Sequence, residues 1–160
     1  MDYQTARTQI QDGDLIAVKG SGVLPWLIEK LTVSPYSHTA VAIWLDGGLW
    51  ASQMNGGGNN LVPVSQFEKF DVFECPVDRI AVRMFLLEQL RTRIHYSFLD
   101  LVSAGLSTLL HLEFPSSHTG LICSEASTLT YTENNWTIKP PKIPTPKWLA
   151  SQLSLKLQVG

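Results

Sequence analysis

The 160-residue chain has few cysteines, few charged residues and no excess of positive charge. Two cysteines are too few for the disulfide framework of a small secreted protein. Lysine and arginine total 12 against 14 aspartates and glutamates, a net charge of −2, so the basic surface that binds nucleic acid is missing. What remains is the composition of an ordinary globular protein, and a chain of this length fits one domain, residues 1–160.

The chain also lacks a long apolar segment. Its start, MDYQTARTQIQDGD, is polar and has no secretory signal. The most apolar stretch, residues 98–114, is interrupted by Asp100 and His111 and falls short of the roughly 20 apolar residues that a membrane span needs. We therefore predict a protein that does not span a membrane and stays in the cytoplasm, or in a virion if a phage encodes it.

Hydrophobic patterning divides the chain into a strand-rich first part and a helix-rich second part. Short aliphatic or alternating runs bounded by Asp-Gly and Gly-rich turns predict strands, at residues 14–18, three times within 37–65, at 71–78 and at 153–159. Apolar residues spaced three and four apart predict helices, at residues 24–31, 79–94, 96–112, 123–133 and from Pro146. The pattern favours one α+β domain, with an antiparallel sheet packed against segregated helices.

Cys123 follows a segment rich in turn formers and precedes the helix-forming SEASTLTYTE. It therefore falls at a helix start, where free backbone N–H groups and the helix dipole favour an anion such as a thiolate. The same N–H groups suit the oxyanion of a tetrahedral intermediate. The competing interpretation is a small buried side chain, the usual role of a free cysteine. A catalytic role for Cys123 requires a base.

His38 is the best candidate for that base, because it opens the strand HTAVAIW directly after a turn and can face a helix terminus. His95 and His111 lie in or beside a predicted helix and need no special role. A zinc site is the competing interpretation. Four residues could supply the four ligands that it needs: His38, His118, Cys75 and Cys123. These residues contain no CxxC, HxxxH or HxH pair, so the sequence predicts neither a metal nor any other cofactor.

Three segments resemble the circularly permuted papain-like cysteine hydrolases of the NlpC type, bacterial and phage proteins often labelled YiiX/YebB-like. They are GDLIAVKG at 13–20, YSHTAVAIW at 36–44 and GLICSEAS at 120–127. HYSFLDLVSAG at 95–105 and IPTPKWLASQ at 143–152 are similar to further segments of that family. The resemblance implies a permuted papain-like fold in which His38 precedes the nucleophile Cys123 in the chain.

The third site residue departs from the family pattern. The family usually places a polar residue, often Glu, on the strand after the histidine, where it orients the imidazole. Here that strand reads LWASQMN, and Gln53 is the best match, with Ser52 as the alternative if the register differs by one. A Gln amide oxygen accepts the ring N–H, but it stabilises an imidazolium less than a carboxylate does.

The resemblance implies hydrolysis of amide or ester bonds in peptidoglycan peptides, isopeptides or lipid esters. Tyr36 and Ser37 adjoin the histidine and, with Trp50 and Tyr96, are predicted to line the substrate cleft. One alternative is a catalytically weak or inactive module with a binding or structural role, for example in a phage virion, which the Gln at the third position favours. Another is an acyltransferase or thioesterase, because relatives with this permuted order include lipid acyltransferases.

Overall fold

One antiparallel sheet of six strands forms the centre of the part of the chain that the computed structural model describes, residues 1–20, 34–55, 58–91 and 123–160. The strands are β1 Leu15–Val18, β2 His38–Leu45, β3 Gly48–Asn55, β4 Gly58–Pro63, β5 Phe70–Phe73 and β6 Leu155–Val159. Their order across the sheet is β4-β3-β2-β1-β5-β6, and every neighbouring pair is antiparallel. The predicted α+β class with an antiparallel sheet is confirmed.

Four α-helices and a short 3₁₀ helix accompany the sheet in these same ranges. They are α1 Tyr3–Arg7, α2 Arg79–Arg91, α3 Cys123–Thr132, α4 Pro146–Ser151 and the 3₁₀ helix Val64–Gln66. Pro146 is in the first turn of α4, and the Thr145 hydroxyl caps that helix by accepting from the Trp148 N–H at 3.1 Å. The first helix and the 3₁₀ helix were not predicted, and the helices predicted at 24–31 and 96–112 lie outside the described residues. None of the described helices is long and apolar enough to cross a membrane.

One short turn and the pairing of β3 with β4 define the register of the strands that carry the predicted site. Asp46 and Gly47 have φ angles of 49° and 73° and join β2 to β3 as a two-residue turn, as the sequence Asp-Gly-Gly predicts. Asn55 pairs with Gly58 where β3 passes into β4. The resulting register pairs Gln53 with Ala40 on one side and with Asn60 on the other.

Both faces of the sheet are covered. One face carries a cluster that includes Ile16, Val64 and Phe70, together with Ala6 of α1. The opposite face packs against α2, α3 and α4, and its cluster includes Leu15, Val41, Ile43, Leu86 and Tyr131. Residues of β1 and β2 contribute alternately to the two clusters, as the period of a strand requires. The helix that begins at Cys123 is therefore held against β2 and β3.

The strand predicted at 71–78 ends earlier, at Phe73, so Cys75 lies beyond the strand rather than within it. The ladder with β6 is irregular between Val72 and Phe73. Beyond it, the N–H of Cys75 donates to the Asp14 carboxylate at 3.2 Å instead of continuing the sheet. The buried Asp14 carboxylate thus accepts the Cys75 N–H in place of the neighbouring strand that the sequence pattern predicted as its partner.

Asp14 is a fully buried carboxylate at the start of β1 that collects four donors. Arg79 at the start of α2 contacts it at 2.6 Å, and Lys156 on β6 at 2.9 Å. The backbone N–H groups of Gln11 and Cys75 complete its hydrogen bonds. A buried charge is tolerated when it is paired and hydrogen-bonded, and this one ties four separate segments together.

Candidate active site

Cys123 is the first residue of α3, and its side chain is 5% exposed. The buried face of this helix is polar and small at its beginning, with Ser124 and Ser127, and aromatic near its end, with Tyr131. The Ser124 hydroxyl donates to the Pro144 carbonyl at 2.7 Å, and the Tyr131 hydroxyl donates to the Gly13 carbonyl at 2.9 Å. Both ends of α3 are therefore anchored, which fixes the position of the thiol over the sheet.

His38 is the first residue of β2, paired with Val18, and its side chain is half-buried beside the ring of Phe67. Its Nε2 lies 2.7 Å from Oε1 of Gln53. An amide oxygen only accepts hydrogen bonds, so this contact assigns the hydrogen to Nε2 and leaves Nδ1 for the thiol. The structure brings Gln53, not Ser52, to the imidazole.

The side chains of Cys123 and His38 lie close enough for each to shift the pKa of the other. Burial alone would lower the pKa of His38, but the charge of the Cys123 thiolate and the hydrogen bonds to Cys123 and Gln53 outweigh burial and raise it. Burial alone would raise the pKa of Cys123, but the charge of His38 and its hydrogen bond, with hydrogen bonds from Thr39, lower it. Both shifts favour a thiolate next to an imidazolium.

Thr39 is a site residue that the sequence analysis missed. It is fully buried, and its backbone N–H and its side chain are both among the groups that lower the pKa of the Cys123 thiol. The Ser127 hydroxyl donates to Oγ1 of Thr39 at 3.2 Å, which leaves the Thr39 hydrogen free for the sulfur. Only its place next to His38 in the sequence pointed to it, since a threonine in a strand is ordinarily a packing residue.

Tyr36 and Ser37 lie next to His38 in the chain, but their hydroxyls are engaged within the protein. The Tyr36 hydroxyl donates to the buried Asp71 carboxylate at 2.7 Å, and burial raises the pKa of this tyrosine. Ser37 is buried, and its hydroxyl donates to the Val18 carbonyl at 3.3 Å. Both hydroxyls are thus bonded within the protein, and a role of these two residues in lining the substrate cleft stays a prediction.

The structure does not bring Trp50 to His38. Trp50 pairs with Ile43, five residues along β2 from His38, a separation of about 17 Å at 3.3 Å per strand residue. Its Nε1 donates to the Leu45 carbonyl at 3.3 Å, near the opposite end of the hairpin. Tyr96, the fourth residue predicted to line the cleft, lies outside the described residues.

The four-ligand zinc alternative is not supported by the positions of its donors. His38 pairs with Val18 at one end of β1, whereas Phe73, two residues before Cys75, pairs with Leu15 at the other end. Three strand residues span about 10 Å, and zinc holds its ligands at about 2.0–2.3 Å, so Cys75 and His38 cannot share one ion. Within the described ranges no three His, Cys, Asp or Glu side chains converge on a metal position, and His118 lies outside those ranges.

No family model matches the chain, and no curated protein matches it. A solved structure that it resembles is the crystal structure of the metalloprotein YiiX from Escherichia coli O157:H7. The TM-score is 0.50 with 18% sequence identity, and the likeness covers 94% of this chain and 88% of that chain. Identity this low carries the fold alone. The protein has a YiiX-like fold.

Proposed function

We propose that the protein is a cysteine hydrolase of the permuted papain-like type that cleaves an amide or ester bond. The observation that carries the proposal is the arrangement of three side chains: the Cys123 thiol at the start of α3 lies close enough to His38 for each to shift the pKa of the other, and Nε2 of His38 lies 2.7 Å from Oε1 of Gln53. A nucleophile, a base and a group that orients the base are the three parts that covalent catalysis by a thiol needs.

In this mechanism the Cys123 thiolate forms a bond to the acyl carbon, and the carbonyl electrons move to the oxygen. The backbone N–H groups at the start of α3 stabilise that oxyanion. The intermediate collapses, and the leaving amine or alcohol takes the Nδ1 proton of His38. A water molecule then attacks the thioester while His38 removes its proton, and cleavage of the carbon–sulfur bond restores the thiolate and the imidazolium.

The structurally similar protein YiiX is described as a metalloprotein. At the site here, the donors are one imidazole, one thiol, hydroxyls and a side-chain amide, and in the described ranges no third His, Cys, Asp or Glu joins them. This set does not fit a structural zinc site, which takes four N or S ligands, or a catalytic one, which takes three protein ligands. The mechanism accordingly uses protein groups alone.

A non-catalytic binding module is the second candidate, and the Gln53 amide is the observation that favours it. A neutral amide at 2.7 Å orients the His38 ring without adding charge, so it stabilises the imidazolium less than a glutamate does. The two candidates differ in one measurable property, the ionisation of Cys123 near neutral pH.

Alkylation by iodoacetamide tests the proposal, because only the thiolate reacts. Since the pKa of Cys123 is lowered, we expect its alkylation rate to stay high well below pH 8.5, the ordinary value of a thiol being about 8.5. In His38→Ala the thiol loses its charged partner, and at pH 6.5 we expect a rate about 10- to 100-fold lower, since a thiol of pKa 8.5 is then about 1% ionised. Mass spectrometry of the peptide that carries Cys123 gives the rate.

The other cysteine is an internal control in the same molecule. Burial raises the pKa of Cys75, so its peptide should react only above about pH 8.5 in both proteins. If wild-type Cys123 also reacts only above pH 8.5 and its rate does not change in His38→Ala, the hydrolase proposal is contradicted. The non-catalytic binding module then becomes the favoured function.

Replacing the amide at position 53 by a carboxylate should change the titration of the histidine. In Gln53→Glu we expect the pKa of His38 to rise by about one unit or more, because a carboxylate at hydrogen-bonding distance stabilises the imidazolium. NMR titration of the His38 ring measures the shift. Gln152→Glu, at the exposed end of α4, adds the same charge away from the sheet and should leave the His38 titration unchanged; an equal shift there would assign the effect to net charge.

A further inference from the structure

The hydrogen bonds of Gln53 continue past His38 into the edge strand β4. Nε2 of Gln53 donates to Oδ1 of Asn60 at 3.1 Å, and Nδ2 of Asn60 donates to Oδ1 of Asn55 at 3.0 Å. We infer that Asn60 is a positioning residue of the site, which fixes the end of the Gln53 amide that faces His38. The inference rests on the proposed function, and it assigns a role to a side chain two strands away from the histidine.

The strand register places these side chains in a row. Gln53 is the direct cross-strand partner of Asn60, and Asn55 is the partner of Gly58 at the start of β4. Directly opposed residues in an antiparallel pair have Cβ atoms about 5 Å apart, within reach of two amides. The series runs without a break from His38 on β2 through Gln53 on β3 to Asn60 on β4.

The direction of the Gln53 amide matters because its two ends have opposite hydrogen-bonding roles. With Oε1 towards His38, the ring carries its hydrogen on Nε2, and Nδ1 remains available to accept the thiol proton. With the amide reversed, its NH₂ group would favour the tautomer that carries the hydrogen on Nδ1, which cannot accept that proton. It would also oppose the imidazolium, in which both ring nitrogens are donors.

Asn60 makes the reversed amide unfavourable. If Gln53 turned over alone, its Oε1 would face Oδ1 of Asn60, two acceptors without a hydrogen between them. Asn60 is itself held in its orientation by the bond from Nδ2 to Asn55, so it turns over only together with that residue. A carboxylate at position 53 would present an acceptor oxygen to His38 in either orientation. The Gln53 amide does so in only one orientation, and Asn60 selects that orientation.

The test compares Asn60→Leu with Asn60→Asp. The leucine removes the acceptor, and we expect the pKa of Cys123 to rise and that of His38 to fall by about half a unit to one unit, which lowers the Cys123 iodoacetamide rate at pH 6.5 about 3- to 10-fold. The aspartate keeps an oxygen for Nε2 of Gln53 but loses the donor to Asn55, so its loss of rate should be clearly smaller than that of the leucine variant. NMR of the His38 ring nitrogens reports the tautomer, and circular dichroism confirms that each variant is folded.

Asn59→Leu is the matched control on the same strand. The Asn59 side chain donates to the Gln89 carbonyl of α2, and Asn59 pairs with Met54, so on the alternating strand it faces the side of the sheet opposite to Asn60 and Gln53. Its loss should therefore leave the Cys123 profile unchanged. An Asn60→Leu profile equal to wild type, an equal loss in Asn60→Asp, or an equal loss in Asn59→Leu would each overturn the positioning role. If wild-type Cys123 reacts below pH 8.5, those outcomes contradict only the role of Asn60 and not the proposed hydrolase function. If wild-type Cys123 reacts like an ordinary thiol, the hydrolase function itself is refuted.

Discussion

Cys123→Ala should abolish turnover, with a loss of about 10³-fold or more in the rate of hydrolysis, because the proposed acyl intermediate forms on the Cys123 sulfur. The test substrates are p-nitrophenyl acetate for ester cleavage and purified peptidoglycan for amide cleavage. With the ester, the wild-type protein should also gain one acetyl group on the peptide that carries Cys123, as mass spectrometry can detect. The variant should gain none.

The second cysteine provides the matched control for this substitution. Cys75 lies beyond the end of β5, hydrogen-bonded to the Val77 carbonyl at 3.3 Å, and has no part in the proposed site. Cys75→Ala should therefore keep its activity within about twofold of wild type, since a distant side chain adds nothing to the transition state. Equal activity in Cys123→Ala and wild type would contradict the nucleophilic role of Cys123.

The pH dependence of turnover follows from the two shifted pKa values. Activity needs the Cys123 thiolate, so it rises as the pH increases through the lowered pKa of that thiol. It also needs the proton of His38 for the leaving group, so it falls as the pH increases through the raised pKa of that imidazole. The active window therefore opens below the ordinary thiol value of about 8.5 and closes above the ordinary histidine value of about 6.5.

Asp14→Ala should lower the free energy of unfolding by about 3–5 kcal/mol, the usual result of removing one partner of a buried ion pair. The substitution leaves Arg79 and Lys156 without their carboxylate and removes the acceptor of the Gln11 and Cys75 N–H groups. A domain has about 5–15 kcal/mol of stability in all, so this one change removes a large share of it. Urea denaturation followed by circular dichroism measures the difference.

An exposed ion pair gives the comparison for that variant. Glu88 contacts Arg91 at 3.4 Å on α2, and their side chains are 67% and 79% exposed. Glu88→Ala removes the same kind of charge and should cost less than about 1 kcal/mol, because water screens an exposed pair. If Asp14→Ala were no more destabilising than Glu88→Ala, the hydrogen bonds and ion pairs of Asp14 would not contribute to stability as we expect.

The elements around the site were largely predictable because their signals are local. The Asp46-Gly47 turn fixed the hairpin, Pro146 marked the start of α4, and the turn-rich segment before Cys123 marked the start of α3. The end of β5 was wrong because Asp14, far away in the sequence, takes the N–H of Cys75. The hydrophobic pattern of a strand cannot predict where the strand ends when a buried carboxylate distant in the sequence determines that end.

Some residues of the candidate site were also predictable from the sequence, and others were not. Cys123, His38 and Gln53 were predicted from their motifs, and the strand register then selected Gln53 over Ser52. Thr39 and Asn60 were missed because ordinary strand residues become partners of the site only through cross-strand neighbours and the packed helix. Trp50 is close to Gln53 in the sequence, but three strand residues carry a side chain about 10 Å away, so it does not reach the histidine.

The sequence by itself determined the α+β class, the Asp46-Gly47 hairpin turn, the helix that begins at the thiol and the order of histidine before cysteine, because each depends on neighbours in the chain. The tertiary structure decided which polar side chains meet. The packing of α3 on β2 brings Cys123 to His38 and Thr39, and the β2–β3–β4 register aligns the amides behind the imidazole. Hydrogen bonds require atoms about 3 Å apart, and only the folded sheet sets distances between distant residues to that precision.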